Sequence, residues 1–169
     1  MEKKQTHMMY GLITALALIV LNLIVYVADL DDPTWTQWVN YTVFFIGVLL
    51  NAFAFSKANG QYVTFGNVFS SGFKAAAIIT IISVAWFFIF TLMFPEMKEK
   101  GLEIARKSME QKGMSEEQIE EGMVMTKEYY NVFMVGGVVF SYMFFGALFS
   151  LIGAAVAKKK GEIPPPSTI

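Results

Sequence analysis

The sequence contains no cysteine and only one histidine, His7. This composition limits the catalytic and metal-binding chemistry that the protein can perform. Without cysteine the chain forms no disulfide, offers no thiolate metal ligand and has no cysteine nucleophile. One histidine gives no Ser-His-Asp cluster, and the sequence has no glycine-rich phosphate loop. We therefore expect a protein that is not an enzyme and that uses no cofactor.

Charge is missing from four long stretches of the chain. None of the 27 Lys, Arg, Asp and Glu residues falls within residues 8–28, 38–56, 75–94 or 131–157. About 20 apolar residues in a helix cross a hydrocarbon layer of roughly 30 Å, and a helix satisfies its own backbone amides inside lipid. The sequence therefore predicts four transmembrane helices.

The predicted fold is an all-α integral membrane protein, with residues 1–169 forming a single membrane domain. Short connections between the first three spans favour antiparallel neighbours and hence an up-down bundle. A polar helical insertion forms an extramembrane hairpin between the third and fourth spans, and a cytoplasmic tail ends the chain. The predicted spans are about 8–28, 38–56, 69–94 and 131–157, the insertion is 95–130, and the tail is 158–169.

Lysine placement predicts the orientation, because Lys and Arg concentrate on the cytoplasmic side of a membrane. With the N-terminus inside, seven lysines face the cytoplasm: Lys3, Lys4, Lys57, Lys74, Lys158, Lys159 and Lys160. The six basic residues of the insertion are mixed with nine glutamates. We expect both termini to be cytoplasmic, with the lysine triplet 158–160 holding the last helix against anionic lipid.

The predicted spans contain weakly polar side chains but no ionisable residue at mid-depth. Their depths, estimated from the helical rise, favour an outer contact of Asn22 with Ser141. The same estimate favours an inner contact of Asn51 with Thr80 or Ser150. We interpret these residues as packing contacts; the alternative is a polar path for a solute, lined by Asn51, Thr80 and Ser150.

Small residues recur at helical spacing along the fourth span. They are Gly137, Ser141, Gly146, Ser150 and Ala154, with Gly153 and Ala157 beside them. Such residues let two helix backbones approach closely, either inside the bundle or between two copies of the chain. We favour the internal use.

The connection before the third span is the most distinctive stretch. Thr64 is a candidate N-cap, and a helix beginning at Phe65 places three phenylalanines on one face. This predicts a short interfacial helix; a lipid- or ligand-binding elbow is the alternative. The motif consists of Tyr62, Phe65, Gly66, Phe69, Gly72 and Phe73.

With this motif opening the third of four spans, the chain resembles domain-of-unknown-function family 4199. The resemblance covers most of the chain and implies a small multi-pass protein of a bacterial inner membrane. It implies no established activity, ligand or catalytic residue.

The insertion has the signals of a helical hairpin. One helix is predicted to end at Lys112-Gly113, and Ser115 to Gln118 form a capping box that starts a second. Glutamate pairs at 96/99, 116/117 and 120/121 are expected to be solvated rather than to bind metal. The methionines of the hairpin favour an adaptable surface for a partner.

Two functions are compatible with these features. The first is interaction without catalysis, as a subunit, scaffold or envelope factor; the alternative is a small oligomeric transporter or channel. The expected partners are the lipid bilayer and a protein partner or a second copy of the chain. With no basic patch beyond the lysine triplet, nucleic acid is not expected.

Overall fold

The computed structural model describes residues 3–30 and 33–161, and the regular structure within these residues is entirely helical. Residues 162–169 of the predicted tail lie outside the described part. The helices are α1 (His7–Val27), α2 (Pro33–Ala58), α3 (Phe65–Met93), α4 (Glu96–Gln111), α5 (Glu116–Glu128) and α6 (Tyr130–Val156). Helices α1, α2, α3 and α6 are long and apolar enough to cross a membrane. The predicted all-α class and the four long apolar helices are confirmed.

Helix α3 begins at Phe65, as the position of Thr64 predicts. The Thr64 hydroxyl accepts a hydrogen bond from the Asn67 backbone N–H at 3.3 Å, and the Asn67 side chain accepts one from the Thr64 N–H at 3.1 Å. This reciprocal pair satisfies two N–H groups that the helix leaves free. The helix then runs unbroken to Met93, so the expected interfacial helix is the beginning of α3 rather than a separate element.

By internal contacts the chain divides into two compact units. Unit 1 comprises Met1–Ser83 and Ser141–Ile169, and unit 2 comprises Val84–Phe140. Unit 1 contains α1, α2 and the adjoining parts of α3 and α6. Unit 2 contains the remaining parts of α3 and α6 together with α4 and α5.

Unit 1 has a core in which side chains from all four of its helices meet. Two buried clusters form it: Ala15, Leu18, Phe44, Val48, Ala76 and Ile79 in the first, and Ala52, Phe55, Val63, Val68, Ala154 and Ala157 in the second. Aromatic rings join α2 to α6, with the Phe44 centroid 5.1 Å from that of Tyr142 and 5.4 Å from that of Phe149. Burial of these apolar surfaces stabilises the unit.

Small residues bring α6 close to α2 and α3 within unit 1. A methyl group placed on Gly146 would lie 2.5 Å from the Ala76 Cβ, and one on Gly153 would lie 2.9 Å from the Ala52 Cβ. These glycines therefore serve contacts inside unit 1. A methyl group on Gly137, in the part of α6 that belongs to unit 2, would meet nothing within 4 Å.

Helices α4 and α5 form the predicted hairpin. Helix α4 ends at Gln111, and the expected glycine, Gly113, follows the C-cap residue Lys112 with a φ of +73° that suits glycine. The Gly113 and Met114 N–H groups bond to the Glu110 and Met109 carbonyls, which terminates the helix. The predicted capping box at Ser115 is confirmed, with both of its reciprocal bonds to Gln118 present.

Candidate functional site

Two regions carry polar groups that could interact with other molecules. The first, here called the polar end, belongs to unit 1 and consists of residues 3–6, 51–71 and 158–160. The second is the hairpin of α4 and α5, which belongs to unit 2.

Asn51 is the centre of the polar end and is completely buried. Its side-chain oxygen accepts a hydrogen bond from the Thr6 hydroxyl at 2.7 Å, and its amide donates to the Ser71 hydroxyl at 3.2 Å. The expected contact of Asn51 with Thr80 or Ser150 is therefore wrong. Helical rise gives the depth of a side chain but not the direction in which it leaves its helix, and Asn51 faces Thr6 and Ser71.

Asn22 also has a partner other than the one expected. Its side-chain amide donates to the Leu18 carbonyl at 2.7 Å and to the Asn40 side-chain oxygen at 3.2 Å. Asn40 lies on α2, the next helix in the chain, at a matching depth. In the described residues Asn22 therefore pairs with Asn40 and not with Ser141, which is half-buried on α6.

Thr80 and Ser150 are buried, and their hydroxyls bond within their own helices. Thr80 donates to the Ala76 carbonyl at 2.8 Å, with a weaker contact to the Met143 sulfur of α6 at 3.7 Å, and Ser150 donates to the Gly146 carbonyl at 2.6 Å. A hydroxyl bonded four residues back is satisfied without a second helix. These two residues act in the structure as small side chains between closely packed helices, and their polar atoms are already used.

The polar end ties the start of the chain to the connection between α2 and α3. The Lys4 N–H donates to the Asn59 side-chain oxygen at 2.8 Å, and the Asn59 amide donates to the Lys4 carbonyl at 3.1 Å. The Lys3 ammonium donates to the Asn67 side chain. Backbone and side chain thus both fix the N-terminal segment.

The segment after α6 is attached to the same connection. The Ser56 hydroxyl donates to the Lys158 carbonyl, and the Lys160 N–H donates to the Gln61 carbonyl at 2.6 Å. The N-terminal segment and the beginning of the tail therefore lie at the same end of unit 1.

Two lysines of the triplet have structural roles that the sequence did not indicate. The Lys159 ammonium donates to the carbonyls of Ala154, of Ala155 at 3.3 Å and of Ala157 at 2.8 Å, and so caps the end of α6. The Lys160 ammonium lies 5.4 Å from the centroid of the Tyr62 ring, a cation–π contact. Only Lys158 of the three presents an ammonium group without such a contact in the described residues.

The family-like motif contributes packing to this end of unit 1. A methyl group on Gly72 would lie 2.8 Å from the Ser150 hydroxyl and 3.3 Å from its Cα, so Gly72 permits a close approach of α3 and α6. Phe69 packs against the second core cluster and stacks on Phe73 with 5.9 Å between ring centroids. Phe65 is exposed, and nothing crowds Gly66.

The hairpin has a small core of its own. Ile119, Met123 and Tyr130 are buried. Gly101 accommodates the Tyr130 ring, and Gly122 accommodates the Met109 side chain. The Met109–Gly122 contact joins the two arms, and the Tyr130–Gly101 contact joins α4 to the beginning of α6.

Charged pairs cover the outside of the hairpin. Arg106 bonds to Glu110 at 3.1 Å within α4 and to Glu116 at the start of α5. Lys107 bonds to Glu103 at 2.8 Å. Among the described residues there is no group of three His, Asp or Glu side chains placed to hold a metal ion.

We predict that Gly101→Val destabilises the hairpin by about 2 kcal/mol, the usual cost of forcing extra atoms into a packed site. Its Cβ would lie 2.6 Å from the Tyr130 hydroxyl and 3.3 Å from the ring. Faster amide hydrogen exchange throughout α4 and α5 is the expected result. Gly136→Val, at an uncrowded position of the same unit, is the control, and equal effects of the two changes would contradict the packing described.

We predict that the Glu103 carboxyl titrates below its usual range. The hydrogen bond and charge of Lys107 lower the pKa of Glu103, so the pair stabilises α4 above the ordinary glutamate pKa. That stabilisation is lost as the pH falls through the lowered pKa, and it is small because both groups are exposed. A carbon NMR titration should show the Glu103 midpoint rising in Lys107→Gln; an unchanged midpoint would contradict the pairing.

Four apolar helices of membrane-spanning length define the class of the protein, a small all-α chain whose helices suit a bilayer. The model of the family described as "Protein of unknown function (DUF4199)" matches residues 9–159, and the chain belongs to that family. The match covers most of the chain, including the motif before the third span. No curated protein and no solved structure matches the chain.

Proposed function

We propose that this protein is a multi-pass protein of a bacterial inner membrane that acts by binding another protein, as a subunit, scaffold or envelope factor. The observation that carries the proposal is the surface of the hairpin. Val124, Met125 and Ile104 are 65%, 58% and 57% exposed on helices that otherwise present charge. Exposed apolar side chains of this kind are common where proteins bind one another, and methionine adapts readily to a partner.

The structure of the hairpin supports this role because its two arms are fixed before any partner arrives. The Ser115 capping box, the turn at Gly113 and the Arg106–Glu116 ion pair hold the turn between α4 and α5. A rigid element loses less conformational entropy on binding than a flexible loop does.

Membrane insertion as an up-down bundle is supported by the outward-facing side chains of the long helices. On α1, for example, Leu12, Leu16, Val20 and Ile24 are about half exposed. The lysines at the polar end support cytoplasmic termini, and in an up-down bundle the proposed position of the hairpin is then the outer side of the membrane.

The proposal assigns no catalytic group. A transport path remains the alternative, but no specific observation favours it. Of the residues that would line such a path, Asn51 is bonded to Thr6 and Ser71, and the other two bond within their own helices.

The test is purification of the tagged full-length protein in mild detergent with and without Val124→Glu/Met125→Glu. We expect a stoichiometric protein partner that the double variant loses. Lys127→Gln/Gln111→Glu is the control, because it changes the charge of the hairpin by the same amount at exposed positions. A partner retained by both variants, or no stoichiometric partner at all, would contradict the proposal.

A further inference from the structure

Helices α1 and α3 lie side by side where both begin, in register. The Lys3 ammonium bonds to Asn67 beside the first turn of α3. Eight residues further along each segment, a methyl group on Gly11 would lie 3.2 Å from the Ala75 carbonyl. His7 lies between these two contacts, beside the stretch of α3 that runs from Asn67 to Ala75 and includes Lys74. We call the surface formed by Lys3, His7 and Lys74 the α1–α3 seam.

The seam carries positive charge that no carboxylate balances within the described residues. Lys74 directly precedes Ala75, whose carbonyl lies beside Gly11 of α1, and the Lys74 side chain is exposed. Lys3 and Lys74 form no ion pair there. The single carboxylate among the described residues of unit 1 is Asp29, at the far end of α1. An uncompensated group of cations attracts anions.

In the described residues, hydrogen-bonding groups at the beginning of α1, beside these cations, have no protein partner. Thr6 occupies the N-cap position, but its hydroxyl bonds to Asn51 and does not cap the helix. The His7 Nδ1 atom is shielded and has no hydrogen-bond partner in the described residues. Free N–H groups and the positive end of the helix dipole favour an anionic ligand at such a position.

Apolar side chains continue the seam along α3 beyond Lys74. Ile78, one turn further, is half-buried against Gly11, and Ile81, two turns further on the same face, is 69% exposed. A soluble phosphate has no use for these side chains, whereas the acyl chains of a lipid would cover them.

We infer that the α1–α3 seam binds the phosphate group of an anionic phospholipid. Lys3 and Lys74 contact the phosphate oxygens, and Lys3 keeps its bond to Asn67 because an ammonium group has three donors. The apolar residues beside the seam contact the acyl chains. This inference rests on the proposed membrane location but not on the hairpin or its partner.

The test is native mass spectrometry of the full-length protein in detergent, with added phosphatidylglycerol or phosphatidylcholine. We expect the wild-type protein to retain phosphatidylglycerol preferentially. Lys3→Gln/Lys74→Gln should weaken that binding about tenfold or more, since each lysine makes a charge-assisted hydrogen bond. Lys57→Gln/Lys158→Gln removes the same charge from polar-end lysines outside the seam and should weaken binding much less, because neither ammonium contacts the phosphate in the proposed site.

Two further variants separate binding from folding. Lys74→Gln alone changes an exposed side chain and should weaken binding without unfolding the protein. Lys3→Arg/Lys74→Arg keeps both charges and should retain the lipid.

Three outcomes would overturn the inference. Equal retention of the two lipids would show that the headgroup charge is not recognised. Equal losses of phosphatidylglycerol binding in the seam and control variants would show a general electrostatic attraction instead of a binding site. Full competition by glycerol 3-phosphate would show a site for soluble phosphate. A failure of the hairpin to bind a partner would leave the lipid measurement unaffected.

Discussion

Gly146→Val is expected to disrupt unit 1, whereas Gly137→Val, nine residues earlier in the same helix, is expected to be tolerated. A side chain at position 146 would begin 2.5 Å from the Ala76 Cβ and 3.2 Å from the Phe44 ring. Ala76 and Phe44 are both completely buried in the first core cluster, so neither has room to move away. Overpacking of this kind costs about 3 kcal/mol or more when the neighbours cannot shift.

The measurement is the midpoint of unfolding in detergent micelles with increasing dodecyl sulfate, followed by circular dichroism. We expect a large fall for Gly146→Val and little change for Gly137→Val, since nothing lies within 4 Å of a methyl group at position 137. The two variants make the same glycine-to-valine substitution in the same helix, so they differ only in position. A greater loss at position 137 would place the important helix contact elsewhere, for example between two copies of the chain.

Asn51→Leu is expected to lower the free energy of unfolding by about 2 kcal/mol, from two hydrogen bonds of roughly 0.6–2 kcal/mol each between apolar helices. The change leaves the Thr6 and Ser71 hydroxyls without the partner they now share. Leucine is similar enough in size that lost hydrogen bonding, rather than a cavity, dominates the result.

A double-mutant cycle with Ser71→Ala measures the bond itself. If Asn51 and Ser71 act together, the combined loss is smaller than the sum of the single losses. Thr42→Val is the control, because its hydroxyl donates to the Trp38 carbonyl of its own helix. Additive losses would show that Asn51 acts independently of Ser71.

Charge segregation predicted the helical architecture well. Burying a charge in hydrocarbon is costly, so long charge-free stretches mark the apolar helices almost independently of tertiary packing. Capping signals were equally reliable, since the bonds at Ser115 and Gly113 involve neighbouring residues only. Local interactions of this kind can be read from sequence.

Contacts between helices could not be predicted in the same way. Depth along a helix follows from residue number, but the direction of a side chain depends on how the helices rotate against one another. Asn51 therefore met Thr6 and Ser71 instead of Thr80 or Ser150, and Asn22 met Asn40. The predicted depths did not indicate the first contact, because Thr6 precedes the predicted first span and Ser71 lies at the beginning of the third, whereas Asn51 lies inside the second.

Some contacts within the protein were also not predicted, including those of lysines that the sequence assigned to lipid. Lysines after a last apolar helix suggest contact with lipid, yet Lys159 caps α6 and Lys160 lies over Tyr62. Only its spacing from Thr64 distinguishes Asn67 in the sequence, yet its side chain completes the cap of α3. Each contact needs a particular rotamer, which the sequence alone does not give.

The most direct test of the account is the accessibility of one position at the polar end and one in the hairpin, in a chain that contains no cysteine. Gln5→Cys and Gln111→Cys replace exposed glutamines in those two regions. We expect a membrane-impermeant maleimide added to intact spheroplasts to label Gln111→Cys and not Gln5→Cys. Labelling of Gln5→Cys alone would invert the protein in the membrane, and labelling of both would contradict four membrane-spanning helices.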